Sequence, residues 1–300
     1  MSLTKKRFRG CVKSPSCSKK AHTNKLKLKS YSPVGAMTKA YTSNLTRDQF
    51  ELIEPLIPAA KPGGRPRTVD IFAVVNAILY VVVQGCKWRD IPGDLPNWST
   101  VYTYFRNWRN DGTWQMIHDR VYGWVRADND RPLSPSEAII DSQSVATDTM
   151  VGEAVGYDAG KKTKGRKRHT MVDTLGLVLR VVVTAASTPE RAGGKQVMQQ
   201  VHQLEHKRIA RLHWVWADGG YHGEAFLRWA IDTVGWLIQV VLRPEQTKGF
   251  KLLKKRWVVE RTFGWWNWSR RLSKDYERST ASAETMIYLS MTRLMLRRLA

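Results

Sequence analysis

The first 36 residues lack any acidic side chain and any apolar stretch, while carrying ten lysines and arginines. A secretory signal needs an apolar segment of about 7–15 residues, so none is expected here. Cysteine is scarce. Cys11, Cys17 and Cys86 are odd in number and lack metal-ligand spacing beside histidines, which argues against a disulfide framework or a zinc site and fits a reducing cytoplasm. Long hydrophobic runs are lacking as well. The longest, Ile71 to Val83, spans 13 residues and is interrupted by Asn76, short of the ~20 that cross a bilayer. Internal repeats are absent.

What the chain does have is positive charge. It holds 49 basic against 26 acidic residues, a net +23 with a pI near 10.2. A surface of this kind attracts polyanions through counterion release, whatever their sequence. Of that charge, +10 lies in residues 1–36 and +13 on the rest. The 1–36 stretch reads either as a leader upstream of the working start at Met37 or as a disordered arm that binds DNA. Three hundred residues with 42% hydrophobic content suffice for one large domain, or a small and a medium one.

From Met37 the pattern is helical. In NLTRDQFELIEPLIP, Thr46 with Gln49 forms a capping box, Leu45 and Phe50 stand where a hydrophobic staple sits, and Pro58 ends the helix. KPGGRPRT is a basic linker. Ile71, Val74, Val75, Ile78, Leu79 and Val82 then recur at helical spacing up to Gly85. This helix is apolar nearly all round, as the centre of a small bundle would be. Ser99 is placed to cap a further helix. On it, Val101, Tyr104, Phe105 and Trp108 share one face, and Tyr102, Arg106 and Arg109 another. That second face is either solvated or laid in a DNA groove. Residues 37–130 are therefore expected to be a helical, helix-turn-helix-like DNA-binding domain.

Beyond residue 131 the texture changes to strands. SEAIIDSQSV, RHTMVDT, LVLRVVVTAAS, LHWVWAD and GWLIQVVLRP read as five strands, with helices at Lys195–His206, Gly223–Thr233 and from Arg256 onward. Three strands followed by alternating helices and strands predict an α/β RNase H-like mixed sheet with flanking helices over residues 131–300.

Three acids occupy unusual places in that order. Asp141 closes the apolar AII of the first strand, Asp218 closes the fourth, and Glu260 lies on the last helix. Singly, each aspartate reads as a turn-former or helix cap. In this topology the first and fourth strands are neighbours and the last helix crosses their ends, so the three can converge. Crowded carboxylates require a cation, and hard oxygen donors without Cys or His favour Mg²⁺ or Mn²⁺. Two such ions can stabilise the attacking and leaving oxygens of a phosphoryl displacement. Gly219 and Gly220 would let a phosphate backbone approach or form a tight turn, and the two readings can hold together.

Basic and aromatic groups surround these acids. Arg256, one turn before Glu260, grips a phosphate or pairs with Glu260. Lys161, Lys162, Lys164, Arg166, Lys167 and Arg168 form a run expected to be a loop that clamps DNA. Trp257, Phe263, Trp265, Trp266 and Trp268 crowd the last helix. Most are expected in the core, with one or two left to stack on an unpaired base.

Four segments, GGRPRTVD, NAILYVVVQGCKWRDIP, STVYTYFRNWRNDGTW and IIDSQSV, together with GRKRHTMVDTLGLVL, VWADGGYHG and WVVERTFGWWNWSRRLSKDYE, carry a family likeness. Over about residues 45–280 the chain resembles the DDE transposases of bacterial insertion sequences, in the branch called the insertion sequence five group. The resemblance implies that Asp141, Asp218 and Glu260 are a metal-binding triad. It also matches Arg256 to the arginine of a signature whose tyrosine and lysine positions are Leu253 and Asn267 here, so the chain departs from it at both. The implied activity is binding of terminal inverted repeats, followed by cleavage and transfer into target DNA, with a homodimer acting on DNA in the cytoplasm and no membrane partner. A stand-alone RNase H-like nuclease and a DNA-binding regulator derived from an inactive transposase are the other readings.

Overall fold

The structure, a computed structural model, describes residues 40–60, 63, 67–242 and 255–299. Residues 1–36 with Cys11 and Cys17, most of the basic linker, and Leu253 lie outside the described residues.

Thr46 opens α1 (Arg47–Ile53) with the full capping box, Thr46 and Gln49 each bonding the other's backbone amide. Leu45 and Phe50 are both buried, as a staple requires. The helix stops earlier than expected. It tightens into a 3₁₀ turn at Glu54–Leu56, because Pro55 has no amide proton to extend the α-helical ladder. In α2 (Ile71–Gln84), Asp70 caps the start, Gly85 ends the helix at φ 74°, and ten of its fourteen residues are buried. The buried Asn76 is the polar exception in that apolar run, and its Oδ1 accepts the Leu45 amide at 2.8 Å. Asn97 rather than Ser99 caps α3 (Trp98–Asn110), since its side chain accepts the Ser99 amide at 3.0 Å. Next comes α4 (Thr113–Asp128).

A mixed sheet of six strands follows: β1 (Glu137–Ala146), β2 (Gly156–Asp158), β3 (Thr163–Asp173), β4 (Val178–Ala185), β5 (Trp214–Ala217) and β6 (Leu237–Val240). β3 pairs antiparallel with β1 on one side, and with β2 and then β4 on the other. On the far side β1 pairs parallel with β5, and β5 parallel with β6. The five expected strands are all present, and β2 is an addition of three residues, too short to leave a periodic signal. The turn at Leu175–Gly176 is also present, with Gly176 at φ 79° and the amides of Leu175 and Leu177 both bonded to Asp173.

β3 begins five residues earlier than its sequence suggests. A Cβ at Gly165 would lie 2.0 Å from the Val145 carbonyl, so only glycine admits this close crossing and the basic run enters the sheet.

The remaining helices are α5 (Glu190–His202), α6 (His206–Ile209), α7 (Glu224–Val234), α8 (Arg256–Trp266) and α9 (Thr280–Leu296). Alternate side chains of β1 face opposite ways: Ile140 lies toward Gly194 of α5, and Asp141 toward Arg256 of α8. In α9, twelve of seventeen residues are buried. It packs against α2, α4 and β4, so the helical layer and the sheet share one hydrophobic core. It also covers the free edge of β4, where the Tyr288 hydroxyl and the Glu284 carboxylate accept the amides of Val181 and Val183.

Candidate active site

The parallel register of β1 and β5, with Ile139 opposite Trp216, carries Asp141 and Asp218 to the same level. Asp141 lies within β1, which continues to Ala146, while Asp218 follows the last residue of β5. There it caps a 3₁₀ turn, accepting the Gly220 amide at 3.0 Å. Glu260 approaches on α8. The Nη2 of Arg256 stands 3.7 Å from Asp141, 3.9 Å from Asp218 and 3.4 Å from Glu260. The three acids predicted to converge thus surround one guanidinium. Asn267, at the Lys position of the signature, is the exposed C-cap of α8.

The electrostatics follow from this crowding. Asp141 is 7% exposed, and burial, then the charge of Asp218, push its carboxyl up to about 7 against the pull of the Ser142 amide, Arg256 and Lys161. Burial, then the charge of Glu190, raise Asp218. Negative charge is therefore in excess here. The donors are hard oxygens, the kind that suits Mg²⁺ or Mn²⁺. As they stand, spread about Arg256, no three Asp, Glu, His or Cys side chains among the described residues form a ready metal cage. The donor chemistry and surplus charge fit a divalent cation, provided the guanidinium withdraws.

Glu190 is the member that sequence reasoning missed. It sits in the first turn of α5, where an acid ordinarily serves the helix dipole, so nothing local marks it. The Ser142 hydroxyl donates to its Oε1 at 3.1 Å, and the Lys161 ammonium lies 3.6 Å away. Its Oε2 is 1.7 Å from where a Cβ of Gly220 would stand. The glycine pair forms the expected tight turn, while the space at Gly220 is filled by a carboxylate and Gly219 meets only Leu242 at an ordinary 3.6 Å. Tyr221 is fully buried beside these groups, with no hydrogen-bond partner for its hydroxyl among the described residues.

The basic run divides at Gly165. Lys161, Lys162 and Lys164 are exposed, and the Lys161 ammonium donates to the Ser142 carbonyl at 2.9 Å. Arg166, Lys167 and Arg168 are buried on β3, and the expectation that they clamp DNA is overturned. Arg166 donates to the carbonyls of Glu153, Glu277 and Arg278 and pairs with Asp275 at 3.2 Å. Lys167 reaches the Thr188 carbonyl and Asp158, and Arg168 the carbonyl of Leu272. Such strongly charged groups enter an interior only with partners of this kind.

On α3, Arg106 is exposed, but Arg109 is half-buried and bonded to Ser282 of α9 and to Asn110, so the expected basic face is narrower. Among the aromatic residues of α8 and its end, only Trp266 is fully buried. Trp257 and Trp268 are exposed, and the Arg261 guanidinium lies 4.7 Å over both Trp257 and Trp265. A cavity of about 650 Å³ lined by Met116, Trp124, Leu133 and Arg208 touches none of Asp141, Glu190, Asp218 and Glu260. Among the described residues, no helix is long and apolar enough to cross a membrane.

Residues 45–118 match the family model described as "Putative transposase of IS4/5 family", and residues 132–296 match "Transposase DDE domain". Two relatives come from Burkholderia cepacia. One, the "Insertion element IS402 uncharacterized 16.2 kDa protein", is 33% identical over 32% of this chain and 68% of its own length. The other, the "Putative transposase for insertion sequence element IS402", is 32% identical over 38% of this chain and 54% of its own. No solved structure matches.

Proposed function

The chain belongs to the DDE transposases of insertion sequences, in the IS4/5 family, and from that premise we propose that it cuts the ends of its element and joins them to target DNA. The observation that carries this reading is the meeting of Asp141, Asp218 and Glu260 around Arg256. The strand order, with three antiparallel strands flanked by two parallel ones, supports an RNase H-like catalytic domain over residues 131–300.

In this reading, Asp141, Asp218 and Glu260 would hold two Mg²⁺ or Mn²⁺ ions, whose contribution when bound would be Lewis-acid stabilisation of charge on the reacting phosphate. Arg256 shifts from the carboxylates to a DNA phosphate, for which its planar fork is suited. Water attacks first, freeing a 3′-hydroxyl at the element's end. That hydroxyl then attacks a target phosphodiester, one P–O bond forming as another breaks, with no covalent protein intermediate. Lys161, Lys162 and Lys164 line the approach, while residues 37–130, with Arg106 exposed, bind the terminal inverted repeats. Bringing two ends together calls for a homodimer working on DNA in the cytoplasm, at the nucleoid.

One observation favours a binding-only regulator: the guanidinium stands between the acids, where a cation would bind. Excision in a bacterial host separates the readings, scored as loss of a marker flanked by the element's ends. The proposal expects excision by the parent and none by Asp218→Asn. If neither excises while both are soluble and bind those ends, the regulator reading replaces it.

A further inference from the structure

We infer that Glu190 is a fourth carboxylate of the centre, pairing with Asp218 to hold one divalent cation on the α5 side of the site. This rests on the metal-dependent reading above. The backbone of Gly220 does not adopt the left-handed conformations that favour glycine, so no φ requirement explains the residue. Space does. The Glu190 Oε2 stands 1.7 Å from the Cβ that any other residue would carry, and Asp218 Oδ1 stands 3.1 Å from the same point. The two carboxylates therefore crowd the same point beside Gly220.

Carboxylates crowded in this way repel, and a fold that seeks only stability avoids the arrangement. Here three separate features maintain it. The Ser142 hydroxyl orients Glu190 from β1, the Gly220 amide orients Asp218, and glycine at 220 leaves room for both. Lys161 offsets part of the charge at 3.6 Å from Glu190, and Arg256 part at 3.9 Å from Asp218. The Tyr221 phenol, fully buried and unpartnered among the described residues, follows Asp218 by three positions, and its ring lies against Gly194 of α5. A buried hydroxyl of this kind ordinarily has an oxygen partner, and a hydrated cation or a phosphate at this site would bring one. Mg²⁺ is ordinarily held by one or two carboxylates plus water and phosphate oxygens, so a pair is sufficient.

The test is Mn²⁺ binding to the full chain, followed by electron paramagnetic resonance without DNA, with circular dichroism as the fold control. Glu190→Gln keeps the acceptor for Ser142 and removes the charge, and is expected to weaken Mn²⁺ binding at least ~10-fold. Gly220→Ala displaces Glu190 without removing it and should weaken binding in the same direction, which covers the case where Glu190→Gln fails to fold. Lys161→Met should leave affinity unchanged or tighten it. If it reproduces the loss seen with Glu190→Gln, Glu190 acts only by positioning Lys161 and the inference fails. Loss in Asp218→Asn with Mn²⁺ binding intact in Glu190→Gln and Gly220→Ala overturns the inference and leaves the active-site reading standing. No Mn²⁺ binding by the parent, either alone or with DNA of the element's ends, removes both.

Discussion

Arg166 and Asp141 sit on neighbouring strands, both buried and both charged groups, yet their surroundings are built on opposite principles. The guanidinium of Arg166 is surrounded by three backbone carbonyls and the Asp275 carboxylate. Asp141 instead faces Asp218, and its main cation, Arg256, is divided among three acids. A charge whose hydrogen bonds are met inside the protein serves the fold. A charge left in excess is available to something that arrives from outside.

The sharpest way to break this comparison is to neutralise each side. Asp141→Asn is expected to lower excision by roughly 1,000-fold, about 4 kcal/mol of barrier, while the thermal midpoint holds or rises, because a repulsive charge is gone. A fall in both would place Asp141 with Arg166 as a structural group. Arg166→Ala should do the reverse, costing about 3–5 kcal/mol in denaturant unfolding because Asp275 is left buried without its partner. The exposed half of the basic run sharpens the contrast. Lys162→Ala with Lys164→Ala should reduce the slope of log affinity for DNA against log salt by about one per lysine, and change folding stability by no more than about 0.5 kcal/mol.

The smallest effect concerns Glu284, which has no cation partner among the described residues and no role in the centre. Burial raises its carboxyl from 4.5 to about 7. The folded state therefore holds this proton more tightly than the unfolded chain, and stability declines as pH rises from about 4.5 to 7. Glu284→Gln, which keeps an acceptor for the Val183 amide, should raise the melting midpoint at pH 8 by roughly 2–4 °C for about 1 kcal/mol. At pH 4 it should change nothing.

Legibility in the sequence followed the range of the interaction. The Thr46 capping box, the apolar stripe of α2, the glycine stop at Gly85 and the alternation that marks the strands are local patterns, and each was readable. The convergence of Asp141, Asp218 and Glu260 was accessible because strand order constrains which ends are neighbours. Glu190 was not, because its placement depends on Gly220, thirty positions away across two elements. The buried half of the basic run was hidden for a similar reason. Consecutive Lys and Arg read as solvated until Gly165 is seen to draw them against Val145, where carbonyls from residues 272–278 meet them. Asn97 took the capping position from Ser99 because either side chain can cap a helix, and the choice depends on backbone direction.

The placement of α9 has a consequence for biosynthesis. This helix fills the space between α2, α4 and β4 and closes the β4 edge, yet in the sequence it follows every strand of the sheet and every helix it packs against. Neither the helical layer nor the sheet can complete its interior until Leu296 has emerged from the ribosome. A nascent or truncated chain would thus hold its acids on an unfinished scaffold, and the cluster around Arg256 is not assembled until synthesis has passed that point.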